Sequence, residues 1–193
     1  MRLLGCVAAI APLVLGAAAL PRGVTFRAGP ANTVLIGAGT AVYGVPPGAR
    51  GVGRVLLTHA RRDSQSGNIG AGAVVPAAER ELFENPARFW AALETGRFHD
   101  YAQLGTKVPV APLPVARVVS DGDVLEEGDI RIRVLGTPGY TRGAVSYLIE
   151  AGGKRVACTG DLIFGDGQIF DLYSLQDAVP EAKARGYHGY AAR

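Results

Sequence analysis

From Val24 onward the apolar residues arrive in short runs, each closed within a few positions by turn-forming residues, and this spacing predicts strands joined by turns rather than long helices. Val24 to Phe26 and Thr33 to Ile36 are separated by Gly29-Pro30 and followed by Pro46-Pro47-Gly48. Between them and the next run, Gly37-Ala38-Gly39-Thr40 reads as a strand-ending turn, because a phosphate loop would need a third glycine and a helix after it. Val55-Leu56-Leu57 is a short buried strand that ends at Thr58-His59, before a polar loop over Ala60 to Asn68. Ala73 to Val75 is a further strand. Two helical pieces follow, Pro76 to Phe83 and Pro86 to Thr95, the second with Asn85 as N-cap and Pro86 at its first position. Phe89, Trp90 and Leu93 share one face of it, which predicts core packing. Val108 to Val115 is broken by prolines and reads as a loop or edge. Ile130, Ile132 and Val134 alternate with Arg131 and Arg133, the pattern of a half-buried strand with a charged outer face. Ala144 to Glu150 and Arg155 to Cys158 flank Gly152-Gly153 as a hairpin. The tail from Asp171 to Arg193 reads as mixed and partly helical.

A chain of 193 residues, 48% of them hydrophobic, is long enough for one core and one domain. Its formal net charge of +3 is small and its basic residues are scattered, so a surface that tracks nucleic-acid phosphates is not expected. A small-molecule substrate or ligand is the expected partner; oligomeric state is not legible. Residues 1–19 combine Arg2, an apolar run from Leu3 to Gly16, and Ala17-Ala18-Ala19, the composition of a secretory signal. The expectation is export to the periplasm, cell envelope or medium, with a domain over residues 20–193 and no stable membrane span after cleavage. Only Cys158 would then remain, in an apolar strand with no basic neighbour to activate it, so it reads as a buried structural thiol.

Three motifs occur in a fixed order: Val55-Leu56-Leu57-Thr58-His59-Ala60-Arg61-Arg62-Asp63-Ser64 with Gly67, then Thr137-Pro138-Gly139-Tyr140-Thr141-Arg142-Gly143, then Thr159-Gly160-Asp161. In this order they resemble the metallo-β-lactamase-fold hydrolases, which carry T-H-x-H-x-D-H after a strand, T-P-G-H-T-x-G later, and G-D at the end of another strand. Ala144 to Ile149 and Gly160 to Phe164 also look like strands of that family, and the likeness runs from about Val24 to at least Phe170. The resemblance implies an α/β fold, an αββα sandwich with a metal site at one edge where strand-end loops converge. It further implies one or two metal ions, zinc or iron, whose bound water attacks an ester, amide, thioester or phosphoester.

The departures from the motif carry as much chemistry as the matches. His59, Asp63 and Asp161 stand at family ligand positions, with Asp63 also at the catalytic position, whereas Arg61, Ser64 and Tyr140 stand where the family has histidine. A first ion would keep one imidazole; a second would keep two carboxylates and no last histidine. His188, on an apparent helix or loop, is the only late candidate for that histidine. His99 matches no ligand spacing, and Ser64 and Ser146 have no base partner. The expected cofactor is therefore none, or one divalent metal, zinc in the first place. The chain is expected to be incomplete at its C-terminal side, where the last ligand of the family belongs. The functional expectation is a relative with little or no standard two-metal hydrolase activity. Its alternatives are a hydrolase with one metal at His59, Asp63 and Asp161, and a binding module that turns nothing over. Removing a cation would leave Asp63 and Asp161 as uncompensated like charges, so Arg61 is expected to bridge them in its place.

Overall fold

The computed structural model describes residues 2–4, 19–29, 32–43, 51–61, 69, 72–94, 108–164 and 168–169. Thirteen strands and two α-helices lie among them: β1 (Arg2–Leu4), β2 (Val24–Arg27), β3 (Thr33–Ile36), β4 (Thr40–Val42), β5 (Arg54–Leu56), β6 (Ala73–Pro76), α1 (Arg80–Glu84), α2 (Pro86–Glu94), β7 (Val115–Val119), β8 (Val124–Glu127), β9 (Ile130–Gly136), β10 (Val145–Ala151), β11 (Lys154–Cys158), β12 (Ile163–Phe164) and β13 (Gln168–Ile169). They form a six-stranded sheet in the order β2-β3-β4-β5-β6-β7, a five-stranded sheet in the order β1-β11-β10-β9-β8, and the small hairpin β12-β13. The first sheet is antiparallel from β2 to β4 and parallel from β4 to β7; the second is an antiparallel meander with β1 added parallel to β11.

Side-chain alternation builds the layers. Val34, Ile36, Val42, Leu56 and Val74 from the six-stranded sheet pack against Leu125, Ile132, Val134, Tyr147, Ile149 and Val156 from the five-stranded one, and this is the central core. On the parallel strands the intervening residues are apolar too: Val55, Leu57, Ala73 and Val75 form a second cluster with Phe83 of α1 on the outer face. Strands buried on both faces read as continuous apolar runs, which is why Val55 to Leu57 and Ala73 to Val75 lack a polar alternate. Strand β9 has one buried face, and Ile130, Ile132 and Val134 point inward between exposed Arg131 and Arg133. The sandwich of two sheets with helices outside is the architecture that the motifs imply.

Some elements differ from the sequence reading. The piece Pro76 to Phe83 is a 3-10 turn over Ala77–Glu79 running into α1. Phe89 and Trp90 are half-buried rather than core: their rings meet edge to face at 5.6 Å, and the Trp90 indole donates to the Pro109 carbonyl at 2.8 Å. Apolar helix residues reach the core only where a sheet lies beneath them, and here it is α1 that contacts β7. The proline-broken stretch leads into the edge strand β7. Arg2–Leu4, read as the start of an export signal, lies along β11 with Leu3 opposite Ala157. The rest of the apolar run, residues 5–18, and the tail 171–193 lie outside the described residues, as does any completion of the sandwich by that tail. No described helix is long and apolar enough to cross a membrane.

Candidate functional site

Four strand ends converge at one edge of the sandwich. Strand β5 ends at Leu56 and delivers Thr58 to Arg61; β4 ends beside it and delivers Tyr43, whose amide donates to the Leu56 carbonyl at 2.8 Å. From the other sheet, the loop 137–143 precedes β10, and Thr159-Gly160-Asp161 follows β11. Two hydrogen bonds lock the sheets together here: the Val145 amide donates to the Thr58 carbonyl at 2.9 Å, and the Tyr147 hydroxyl to the Leu57 carbonyl at 2.9 Å. Gly160 has φ +58, and a β-carbon there would collide with Thr58 and the His59 ring, so glycine is what lets the two motif loops close on each other.

His59 and Asp161 are almost fully buried, 1% and 2% exposed, with His59 Nε2 3.5 Å from Asp161 Oδ2. The Arg61 guanidinium forms an ion pair with that same carboxylate oxygen, and its Nη1 lies 3.5 Å from the Tyr140 hydroxyl. The other carboxylate oxygen, Oδ1, accepts the Tyr43 hydroxyl at 2.8 Å. Tyr43 holds this position with φ 67, a left-handed backbone that a tyrosine adopts only when its surroundings over-determine it. The His59 ring lies between two tyrosines, 5.6 Å from Tyr43 and 5.0 Å, edge-on, from Tyr140. Burial pushes the His59 imidazole down to about 4; the charge of Glu79 opposes this and that of Arg61 adds to it. His59 is therefore neutral at pH 7. Its Nδ1 lies 2.9 Å from the Thr58 hydroxyl, whereas Nε2, like the buried Thr159 hydroxyl, has no hydrogen-bond partner among the described residues.

The structure thus brings together four of the residues singled out from sequence: His59, Arg61, Tyr140 and Asp161. Asp63, Ser64, His99 and His188 lie outside the described residues. Ser146 is buried and hydrogen-bonded to Thr137 at 2.8 Å, away from any base, Arg142 is exposed, and Cys158 is fully buried in the central core. Sequence reasoning missed Tyr43 and Glu79. Neither belongs to a motif quoted above, and each meets its partners far along the chain.

Zinc takes about four ligands in a protein site. Among the described residues no three metal-binding side chains come together, and a guanidinium contacts the one carboxylate oxygen that faces His59. The described donors do not by themselves fit a metal ion.

No family model matches the chain. Hydroxyacylglutathione hydrolases of Mesorhizobium japonicum and Brucella anthropi are 41% and 37% identical to it over 71 residues, 35% of this chain. The match spans only 27% and 26% of those relatives' own lengths. Among solved structures, a HARLDQ-motif variant of a metallo-β-lactamase from Cronobacter sakazakii superposes with a TM-score of 0.54 at 20% identity, covering 86% of this chain and 73% of that one. A subclass B3 metallo-β-lactamase of Bradyrhizobium japonicum gives 0.50 at 17% identity, covering 72% and 59%. These likenesses are of fold, and they agree with the two-sheet sandwich, its strand-end site and its three linked motifs: the chain has the metallo-β-lactamase fold.

Proposed function

We propose that this chain is a metallo-β-lactamase-fold protein in which Arg61 takes the electrostatic place of a metal ion beside Asp161, leaving little or no two-metal hydrolase activity. The ion pair between Arg61 and Asp161 carries this reading. A buried carboxylate needs a countercharge, and a guanidinium supplies a permanent one with several donors. Asp63, two positions further on, is proposed as a second carboxylate within reach of the same cation. The Cronobacter neighbour supports the reading through its printed motif: HARLDQ and the segment His59-Ala60-Arg61-Arg62-Asp63-Ser64 agree at histidine, alanine, arginine and aspartate. In that neighbour's variant an arginine, a glutamine and a lysine were changed to histidine. The first two of these have counterparts here in Arg61→His and Ser64→His, and the experiment adds Tyr140→His at the third position where the family motif has histidine. Zinc titration followed by calorimetry should show affinity rising at least tenfold over the unsubstituted chain. Unchanged affinity in a folded triple variant would count against Arg61 as the metal's replacement.

One observation favours a second reading, a hydrolase with a single metal held by His59, Asp63 and Asp161. The 3.5 Å between His59 Nε2 and Asp161 Oδ2 matches two ligands of one tetrahedral ion, roughly 3.4 Å apart for bonds of about 2.1 Å. In that case Arg61 must swing off Asp161 when the ion binds, and Asp63 would be the carboxylate nearest the chemistry. We propose further that the chain is exported, on the composition of residues 1–19.

A further inference from the structure

Glu79 is 3% exposed, ends the 3-10 turn after β6, and belongs to none of the motifs that define the site. Its carboxylate nevertheless touches two of them. Oε2 accepts the Ala60 amide at 2.5 Å, between His59 and Arg61; Oε1 accepts the Gly143 amide at 2.9 Å and the Thr141 hydroxyl, both just past Tyr140. One side chain from a third segment therefore satisfies three donors from loops that the chain separates by about eighty residues. Hydrogen bonds to a carboxylate are stronger than neutral ones, and this carboxylate is shielded from competing water. The close approach is built into the sequence at Gly143, where a β-carbon would stand 2.5 Å from Glu79 Cγ and 2.9 Å from Ala78 Cβ.

We propose that Glu79 is a positioning residue: by tying the loop 137–143 to the loop 58–61, it sets where Tyr140 stands against His59 and Arg61. The consequence is local geometry at the site. Tyr140 meets the His59 ring edge-on at 5.0 Å and 70°, and its hydroxyl lies 3.5 Å from Arg61 Nη1. The three bonds to Glu79 hold the loop that carries Tyr140 against the loop that carries His59 and Arg61. This inference goes beyond the functional reading above, since it concerns how the cleft is shaped and holds whether a guanidinium or a metal ion fills it.

The test is the position of the His59 ring signals in the nuclear magnetic resonance spectrum of the full chain with labelled histidine. The chain has three histidines, so a His59→Gln variant assigns the signal. Tyr140→Leu then defines how far the signal moves when the tyrosine ring is lost. Thr141→Val, which removes one donor and no charge, should move the His59 signal a clear fraction of that distance, and Thr141→Ser, which keeps the hydroxyl, should leave it at its original place. Glu79→Gln should move it further than Thr141→Val, because an amide cannot accept at both ends. If Glu79→Gln fails to fold, the two Thr141 variants decide alone. His59 signals unmoved in Thr141→Val, whether or not Glu79→Gln moves them, would overturn the proposal and leave Glu79 a structural anchor that acts on His59 only through its charge.

Discussion

At the scale of single residues, the site is a small set of charges and hydroxyls held away from water, so each can be weighed by what its loss would leave unpaired. Arg61→Ala strips the ion pair from a carboxylate that is 2% exposed, and the folded variant should be less stable by about 1 to 3 kcal/mol in urea unfolding. Tyr43→Phe removes only the hydroxyl on Asp161 Oδ1 and should cost about 1 kcal/mol. The neutral His59 makes a prediction in pH. Its folded-state pKa, about 4, lies below the ordinary value of 6.5, so the unfolded chain binds the proton first as pH falls. The stabilisation is complete above pH 6.5 and drains away down to about pH 4, by about 3 kcal/mol over that window. Unfolding midpoints measured across this range should fall with pH, and replacing His59 with a non-titrating residue should flatten the slope; an unchanged slope would remove His59 as its source. Of these residues His59, Arg61, Tyr140 and Asp161 were legible in the sequence because short motifs mark them. Tyr43 and Glu79 were not, because what makes them part of the site is a partner 118 residues away for Tyr43 and one 64 residues away for Glu79.

At the scale of elements, the strands that could be read from sequence are those whose pattern expresses their burial. Alternation revealed β9, and continuous apolar runs revealed β5 and β6 because parallel strands are covered on both faces. Strand β4 escaped notice: Thr40 and Ala41 are too small and polar to stand out, and both are buried by pairing with β3 and β5 rather than by their own hydrophobicity. Strand β8 escaped because Glu126 and Glu127 occupy half of it, with only Leu125 facing the core. Trp90 misled in the other direction, since a large apolar ring on a short helix found a backbone carbonyl near the surface instead of the core. The alternation of β9 gives a direct comparison. Ile132→Ala opens a cavity in the central core and should cost about 2 to 5 kcal/mol. Arg133→Ala, one residue on and exposed, should stay within about 0.5 kcal/mol. Equal losses in thermal unfolding would contradict the assignment of faces.

At the scale of the whole molecule, two packed sheets bring three motifs, distant in sequence, to one edge, and the order of those motifs was enough to anticipate the sandwich. What fills the site depends on side chains that the family motif does not contain. If export proceeds as proposed, mass spectrometry of the mature protein should find a terminus near Leu20. Cleavage there would take β1 off β11 and uncover a sheet edge, and unpaired edges invite association. Size-exclusion chromatography of a chain starting at Leu20 should then show oligomers or aggregate, and a clean monomer would show the edge to be protected. The central claim, that a guanidinium stands in for a metal ion, meets its most direct test in elemental analysis of protein purified without added metal. The account predicts zinc, iron and manganese each well below one atom per chain in protein that unfolds cooperatively. One tightly held zinc per chain would contradict it and favour the one-metal hydrolase instead.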